Sequence, residues 1–484
     1  MRDGRESAVS LATKYLQRIA SIDQHGPKLN SVIELNPDAL AIARELDAER
    51  KAKGPRGPLH GIPVLLKDNI DTHDKMMTTA GSLALLGSIA SQDATVARKL
   101  REAGAVILGK TNLSEWANFR GSRSTSGWSG RGGQTRNPYV LDRNPSGSSS
   151  GSGAAVSANL CAFAIGTETD GSIVSPSSHC GIVGLKPTVG LISRAGIIPI
   201  SSSQDTAGPM TRTVTDAAMV LSALTGVDSR DGATKASDGK THRDYTQFLD
   251  ANGLRGARIG VARRFFGANT RANRILESAL ETMKRAGAEL IDPAELPTHG
   301  RFGGAEHELM LYEFKAGLNV YFALLGANAP VRSLQDVIDF NERHKEHELK
   351  FFGQETMLNA QKKGPLTEQA YLDAVKSAKR LAGKEGIDPV MDQHRLDAIV
   401  APTSGPAGVI DPVYGDRGEG GSSSPAAVAG YPNITVPAGN VFGLPVGISF
   451  FGRAWSEPAL LKIAFAFEQQ TNARRTPRFL PGLK

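Results

Sequence analysis

The 484-residue chain carries only two cysteines, Cys161 and Cys180. Two are too few for a disulfide scaffold. Both sit beside short apolar text, where a free cysteine packs as a small hydrophobe. No run approaches the roughly 20 apolar residues of a membrane span, so no membrane partner is expected. The start, Met1 to Ile19, is broken up by charged and polar residues and does not read as a secretory signal. As given, the chain is expected to be cytoplasmic; removal of a leader would leave the same text. There is no His-Glu-x-x-His and no Cys-x-x-Cys, and His344 and His347 lie in charged helical text, so no metal centre is expected. Charge of one sign is also scarce. The 56 basic and 49 acidic residues leave +7, scattered along the chain. Without a basic stripe interleaved with aromatics, no nucleic-acid partner is expected.

What is present is ordinary globular composition, 40% apolar and 22% charged. Length alone suggests about three domains. The text instead reads as one α/β unit over 1–484. Leu11, Tyr15, Leu16 and Ile19 give an amphipathic helix, and Pro37 opens a second. Alternation of strand and helix follows: a buried strand at Val64 to Leu66, a helix from Thr95 to Ala103, a strand from Ala105 to Leu108. Residues 121–153 form a Gly/Ser-rich stretch long enough to be functional. A small-residue helix at Ser152 to Leu160 and a strand at Ala162 to Ile165 come next. Thr215 starts another helix, and 227–250 reads as a polar surface insertion. Arg258 to Ala262, Arg271 to Ala286 and Glu289 to Ile291 resume the pattern. A mostly helical excursion fills about 305–384. Strands return at Leu396 to Val400, Ile434 to Val436 and Val446 to Phe450, before a last helix at Glu457 to Gln469.

Three familiar patterns match by letter and fail by mechanism. Gly104 to Thr111 fits a phosphate loop, but its middle is Ala-Val-Ile-Leu, which favours a strand, and a helix precedes it. Gly147 to Gly151 fits G-x-S-x-G around Ser149, but Pro145 and no β run stand before it. Ser237 to Lys240 fits S-x-x-K inside the polar insertion, without its partner motifs.

Another combination has physical logic. Amide cleavage needs a nucleophile, a base and a site for the oxyanion. Ser172 follows Gly171 a few residues after a strand, where α/β sites form. The backbone N–H groups of Thr169, Asp170, Gly171 and Ser172 are the candidate oxyanion hole. Lys67 ends a buried strand, where desolvation favours its neutral amine. Ser148 can relay a proton between Ser172 and Lys67. Ser149 and Thr169 are candidate supporting hydroxyls. Asp170 is expected to orient a substrate N–H or the substrate loop. Substrate side chains are expected against residues 119–133, Gly121 among them, and against the helical excursion.

These residues resemble the amidase signature family. The resemblance rests on G-I-P-V-L-L-K-D at Gly61 to Asp68, G-S-S-S-G at Gly147 to Gly151, and the text from Gly171 to Thr188. It extends to P-N-I-T-V-P and L-P-V-G-I near the end. It implies Lys67 as base, Ser148 as bridging serine, Ser172 as nucleophile, and a cis Gly147–Ser148 peptide. It also implies a large mixed sheet covered by helices on both faces, and no cofactor. Three positions depart from most members: Glu168 stands for an aspartate, Asp170 for a glycine, and Val174 for an arginine. With Asn112 to Arg120, Ser126 to Tyr139, Tyr312 to Leu318 and Ala454 to Pro458, the chain looks like bacterial peptide amidases, which remove ammonia from peptide C-terminal carboxamides. A broad aliphatic or aryl amidase, the amidase subunit of glutamyl-tRNA(Gln) amidotransferase, and an idle binding module are the alternatives. The expected partner is a small-molecule or peptide amide, and the chain a monomer or homodimer.

Overall fold

The computed structural model describes residue 1 and residues 4–326, 329–418 and 420–483. In chain order the strands are β1 (Val32–Leu35), β2 (Pro63–Lys67), β3 (Val106–Thr111), β4 (Trp128–Ser129), β5 (Gly133–Gln134), β6 (Phe163–Glu168), β7 (Val183–Lys186), β8 (Thr206–Thr211), β9 (Arg258–Val261), β10 (Glu289–Ile291), β11 (Ala398–Pro402), β12 (Asn433–Val441) and β13 (Leu444–Phe451). β4 and β5 make a separate hairpin within the Gly/Ser-rich stretch; the rest form one 11-stranded sheet, ordered β1-β3-β2-β6-β8-β7-β12-β13-β11-β9-β10. β3, β2 and β6 run parallel, and β8 runs antiparallel to β6 and β7, so the sheet is mixed.

Strand alternation sends successive side chains to opposite faces. Val64 and Leu66 of β2 enter one core with α3 (Thr95–Glu102), α6 (Val214–Leu224), α7 (Thr270–Arg285) and α15 (Glu457–Thr471). Leu65 enters another core with α1 (Ala8–Arg18), α2 (Ala39–Lys53) and α4 (Ser150–Ser157). Helices therefore cover both faces. By the same alternation Lys67 shares the side of Leu65, the side of α4. That helix is built of Ser, Gly, Ala and Val and is wholly buried. Its small residues permit close approach: a Cβ on Gly151 would sit 2.5 Å from the Asn112 carbonyl oxygen.

The Gly104–Thr111 text forms no anion cradle. Gly104 ends the turn after α3, and Val106 to Thr111 is strand, paired on both sides. Lys110 spends its ammonium on Ile70 O at 2.7 Å, Thr78 Oγ1 at 2.9 Å and Met77 O at 3.2 Å. The helical excursion begins with α8 (Gly303–Leu324) and continues through α9 (Leu334–Arg343), α10 (Lys345–Glu348), α11 (Glu355–Gln361) and α12 (Gln369–Lys379). One of its links to the rest of the molecule is Arg120, fully buried, which donates to Glu115 Oε1 at 2.6 Å, to Phe352 O at 3.0 Å and to Glu348 O. Among the described residues no helix is long and apolar enough to cross a membrane.

Candidate active site

β2 delivers Lys67 to the inside of the molecule with no exposed surface. Its Nζ lies 2.7 Å from Ser148 Oγ, 2.8 Å from Thr167 Oγ1 and 3.2 Å from Thr167 O. Thr167 belongs to the neighbouring parallel strand β6. Burial lowers the Lys67 pKa to about 7, against the opposing pull of the Asp205 and Glu168 charges. An amine with that pKa is a usable proton acceptor near neutrality.

Ser148 is fully buried just ahead of α4, behind a cis Gly147–Ser148 peptide. Its carbonyl accepts from Ser114 N at 3.1 Å. A Cβ at Gly147 would lie 3.1 Å from Ser126 Oγ, so the Gly/Ser-rich stretch closes on this peptide. Ser149 points elsewhere. Its Oγ donates to Thr167 O at 3.0 Å and accepts from Thr167 N at 3.2 Å. Its own N–H donates to Ser172 O at 3.2 Å. Ser149 thus ties the loop before α4 to β6 and to the loop after it.

Ser172 sits in that second loop, 8% exposed, between β6 and α5 (Val174–His179). Lys67 and Ser148 are wholly covered, and of the three only Ser172 keeps any exposed surface. Gly171 has φ +79°, and a Cβ there would lie 3.0 Å from both Ser175 Oγ and Ser423 Oγ. The amide N–H groups of Asp170, Gly171 and Ser172 donate to no described residue. They remain available to an oxyanion. Glu168 holds the loop: its Oε2 accepts from Ile173 N at 2.7 Å and Val174 N at 3.0 Å. With a buried valine at 174, the backbone N–H groups of Ile173 and Val174 take the Glu168 Oε2, while Oε1 has no described partner.

Neighbours that sequence reasoning missed arrive from distant segments. Asp205 accepts from Thr169 Oγ1 at 2.6 Å and from Ile200 N and Ser201 N. Burial raises its pKa to about 6. Glu306 and Glu313 of α8 hold the 201–204 segment through Gln204 Nε2 at 3.0 Å and Ser203 Oγ at 2.6 Å. Ser424, in α14 (Ser423–Ala429), donates to Asp170 Oδ2 at 2.6 Å. One signal was readable: Glu306, Leu309 and Glu313 follow i, i+3, i+7 spacing, placing two acids on an apolar face.

A cavity of about 420 Å³ opens beside Thr167, Thr169 and Asp205, with an apolar wall from Ile198, Val320 and Leu324. Ser148 and Ser172 do not line it. Nor does any of residues 119–133; Ala117 is the nearest in sequence that does. Gly121 instead packs on the excursion, where a Cβ would lie 2.9 Å from Glu355 Oε2. Among the described residues no cluster of His, Cys, Asp or Glu could hold a metal ion.

The family model described as Amidase matches residues 10–461. The chain belongs to the amidase family, the amidase signature enzymes, and is a hydrolytic amidase. The native peptide amidase of Stenotrophomonas maltophilia is 55% identical with TM-score 0.94, over 99% of this chain and 96% of that one. A probable amidase of Arabidopsis thaliana is 46% identical, over 98% of this chain and 89% of its own length. A glutamyl-tRNA(Gln) amidotransferase subunit from Thermoanaerobacter pseudethanolicus is 34% identical, over 99% and 96%.

Proposed function

We propose that this amidase hydrolyses the C-terminal carboxamide of peptides, through an acyl-enzyme on Ser172, without a cofactor. The observation that carries the reading is the buried 2.7 Å contact between Lys67 Nζ and Ser148 Oγ, beside a loop with free amides. Ser172 Oγ attacks the carboxamide carbon. Its proton passes to Ser148 as the Ser148 proton passes to neutral Lys67. The oxyanion rests on the amides of the 169–172 loop, each such donor being worth about 2.7–4 kcal/mol in comparable sites. The C–N bond breaks as the proton returns through Ser148 to the nitrogen, and ammonia leaves. Water then attacks the acyl carbon by the same relay, giving the carboxylate and free Ser172.

The peptide class is supported by 55% identity over nearly the full length to a peptide amidase. The similarity to the amidotransferase subunit favours a second reading, an ammonia donor that works with partner chains. Ammonia release from a short amidated peptide by the purified chain alone tests both. Release that disappears in Ser172→Ala fits the first reading. No release by the unaltered chain sinks it and favours the second.

A further inference from the structure

Asp170 stands two residues before Ser172, on the loop where the amides of Asp170, Gly171 and Ser172 donate to no described residue. Ser424 Oγ holds its Oδ2 at 2.6 Å. Its Oδ1 is buried and has no donor, if every carboxyl around it is ionised. Glu306, 7% exposed, is brought beside Asp170, whose charge acts on its carboxyl. A second arm fixes Glu306: Gln204 Nε2 reaches Glu306 Oε1 at 3.0 Å and Thr169 O at 3.3 Å. Glu306 therefore grips the loop at two consecutive residues.

Two touching carboxyls do not both ionise. Burial, then the charge of Asp170, raise the Glu306 pKa far above the ordinary carboxyl range. Around Glu306 the packing is apolar, with Phe302 and Leu309 against Ala374, Ala378 and Val428. Glu168 at the end of β6 and Lys186 at the end of β7 are near enough to feel the charge of Asp170. With its pKa raised this far, Glu306 keeps its proton at neutral pH. That proton is a donor for Asp170 Oδ1, which has no other described partner, and the Asp170 side chain is only partly covered.

We infer that Glu306 is a positioning residue: its carboxyl proton fixes the Asp170 carboxylate beside the oxyanion amides, where it accepts a hydrogen bond from the N–H of the residue bearing the scissile carboxamide. This rests on the peptide-amide reading. The reaches match. That N–H is two bonds from the scissile carbon, and Asp170 is two residues from the nucleophile on a loop turned back at Gly171. The same negative charge repels the carboxylate product.

The test compares ammonia release from an N-acetyl amino-acid amide with release from its analogue carrying oxygen in place of that N–H. The unaltered enzyme is expected to lose roughly 10–100-fold in kcat/KM on the analogue, the range for a hydrogen bond to a charged group. Glu306→Gln keeps a donor, so it keeps the preference, and it loses the alkaline fall that ionisation of Glu306 produces. Glu306→Ala loses most of the preference. Equal rates on the two compounds in the unaltered enzyme overturn the inference with no variant needed. So does Glu306→Gln behaving as Glu306→Ala. Failure to release ammonia from the parent compound overturns the peptide-amide reading, and this inference with it.

Discussion

Lys67 can take a proton only as a neutral amine, and burial sets the pH at which it becomes one. Its pKa of about 7 means the acceptor form is lost below that pH. kcat/KM is expected to fall about tenfold per pH unit on the acid side of this point, with Lys67→Met showing neither the activity nor the limb. The stability consequence has a definite sign. An unfolded lysine titrates near 10.4, so between about pH 7 and 10 the unfolded chain binds more protons and stability rises with pH. Ser149→Ala supplies a second check. That hydroxyl is engaged on both sides by Thr167, so its loss should weaken ammonia release through loosened loops, while Ser172→Ala abolishes it. The contact of Lys67 with Ser148 was legible because each sits in a short run of residues with few other uses. Glu306, Gln204, Asp205 and Ser424 were not. Their partners lie in distant stretches, and the one local trace was a pair of acids on an apolar helix face.

The loop from β6 to α5 shows how an element can be held by one residue at each end. Gly171→Ala must adopt φ +79° and push on Ser175 and Ser423, at roughly 1–2 kcal/mol. Thermal unfolding should shift modestly, and activity should drop far more if the displaced amides are the oxyanion donors proposed above. At the other end, Glu168→Gln keeps an acceptor for Ile173 N and Val174 N and should retain the loop. Glu168→Ala strands both donors, at roughly 1–3 kcal/mol each. Circular dichroism with steady-state kinetics separates these cases. Elements with long apolar periodicity were legible within a few residues: β2, α3, α7, β13 and α15. β1, β7 and β8 were not. β8 reads Thr-Ala-Gly-Pro-Met-Thr, and both glycine and proline argue against a central strand. The sheet accepts them for particular reasons. Within β8, β7 pairs only with Met210 and Thr211, sparing Pro209, and Gly208 lies close against the Leu185 carbonyl.

Across the whole molecule, Arg120 joins the excursion to the sheet side by holding Glu115 and the 348–352 backbone. The guanidinium also lies 3.9 Å over the Phe352 ring. Burial, then the Glu115 charge, raise the Glu348 pKa, a sign that Arg120 is shared between two acids. Arg120→Met leaves buried carboxyls without their cation and should cost roughly 3–5 kcal/mol in urea unfolding. Adding Glu115→Leu should recover part of that loss, since one stranded charge goes with it. The sheet has a second long-range join. Its β1-β3-β2-β6-β8-β7 half is complete by Thr211, and the other half meets it where Asn433 to Thr435 pair with Gly184 to Lys186. On a ribosome adding roughly 5–20 residues per second, β7 waits on the order of 10–50 seconds for its partner. During that interval a nascent chain already holding Lys67, Ser148 and Ser172 presents an open strand edge to its neighbours on the polysome. Yield in a cell therefore depends on how well that one edge is guarded during translation, and truncations that end between these strands should accumulate as aggregates.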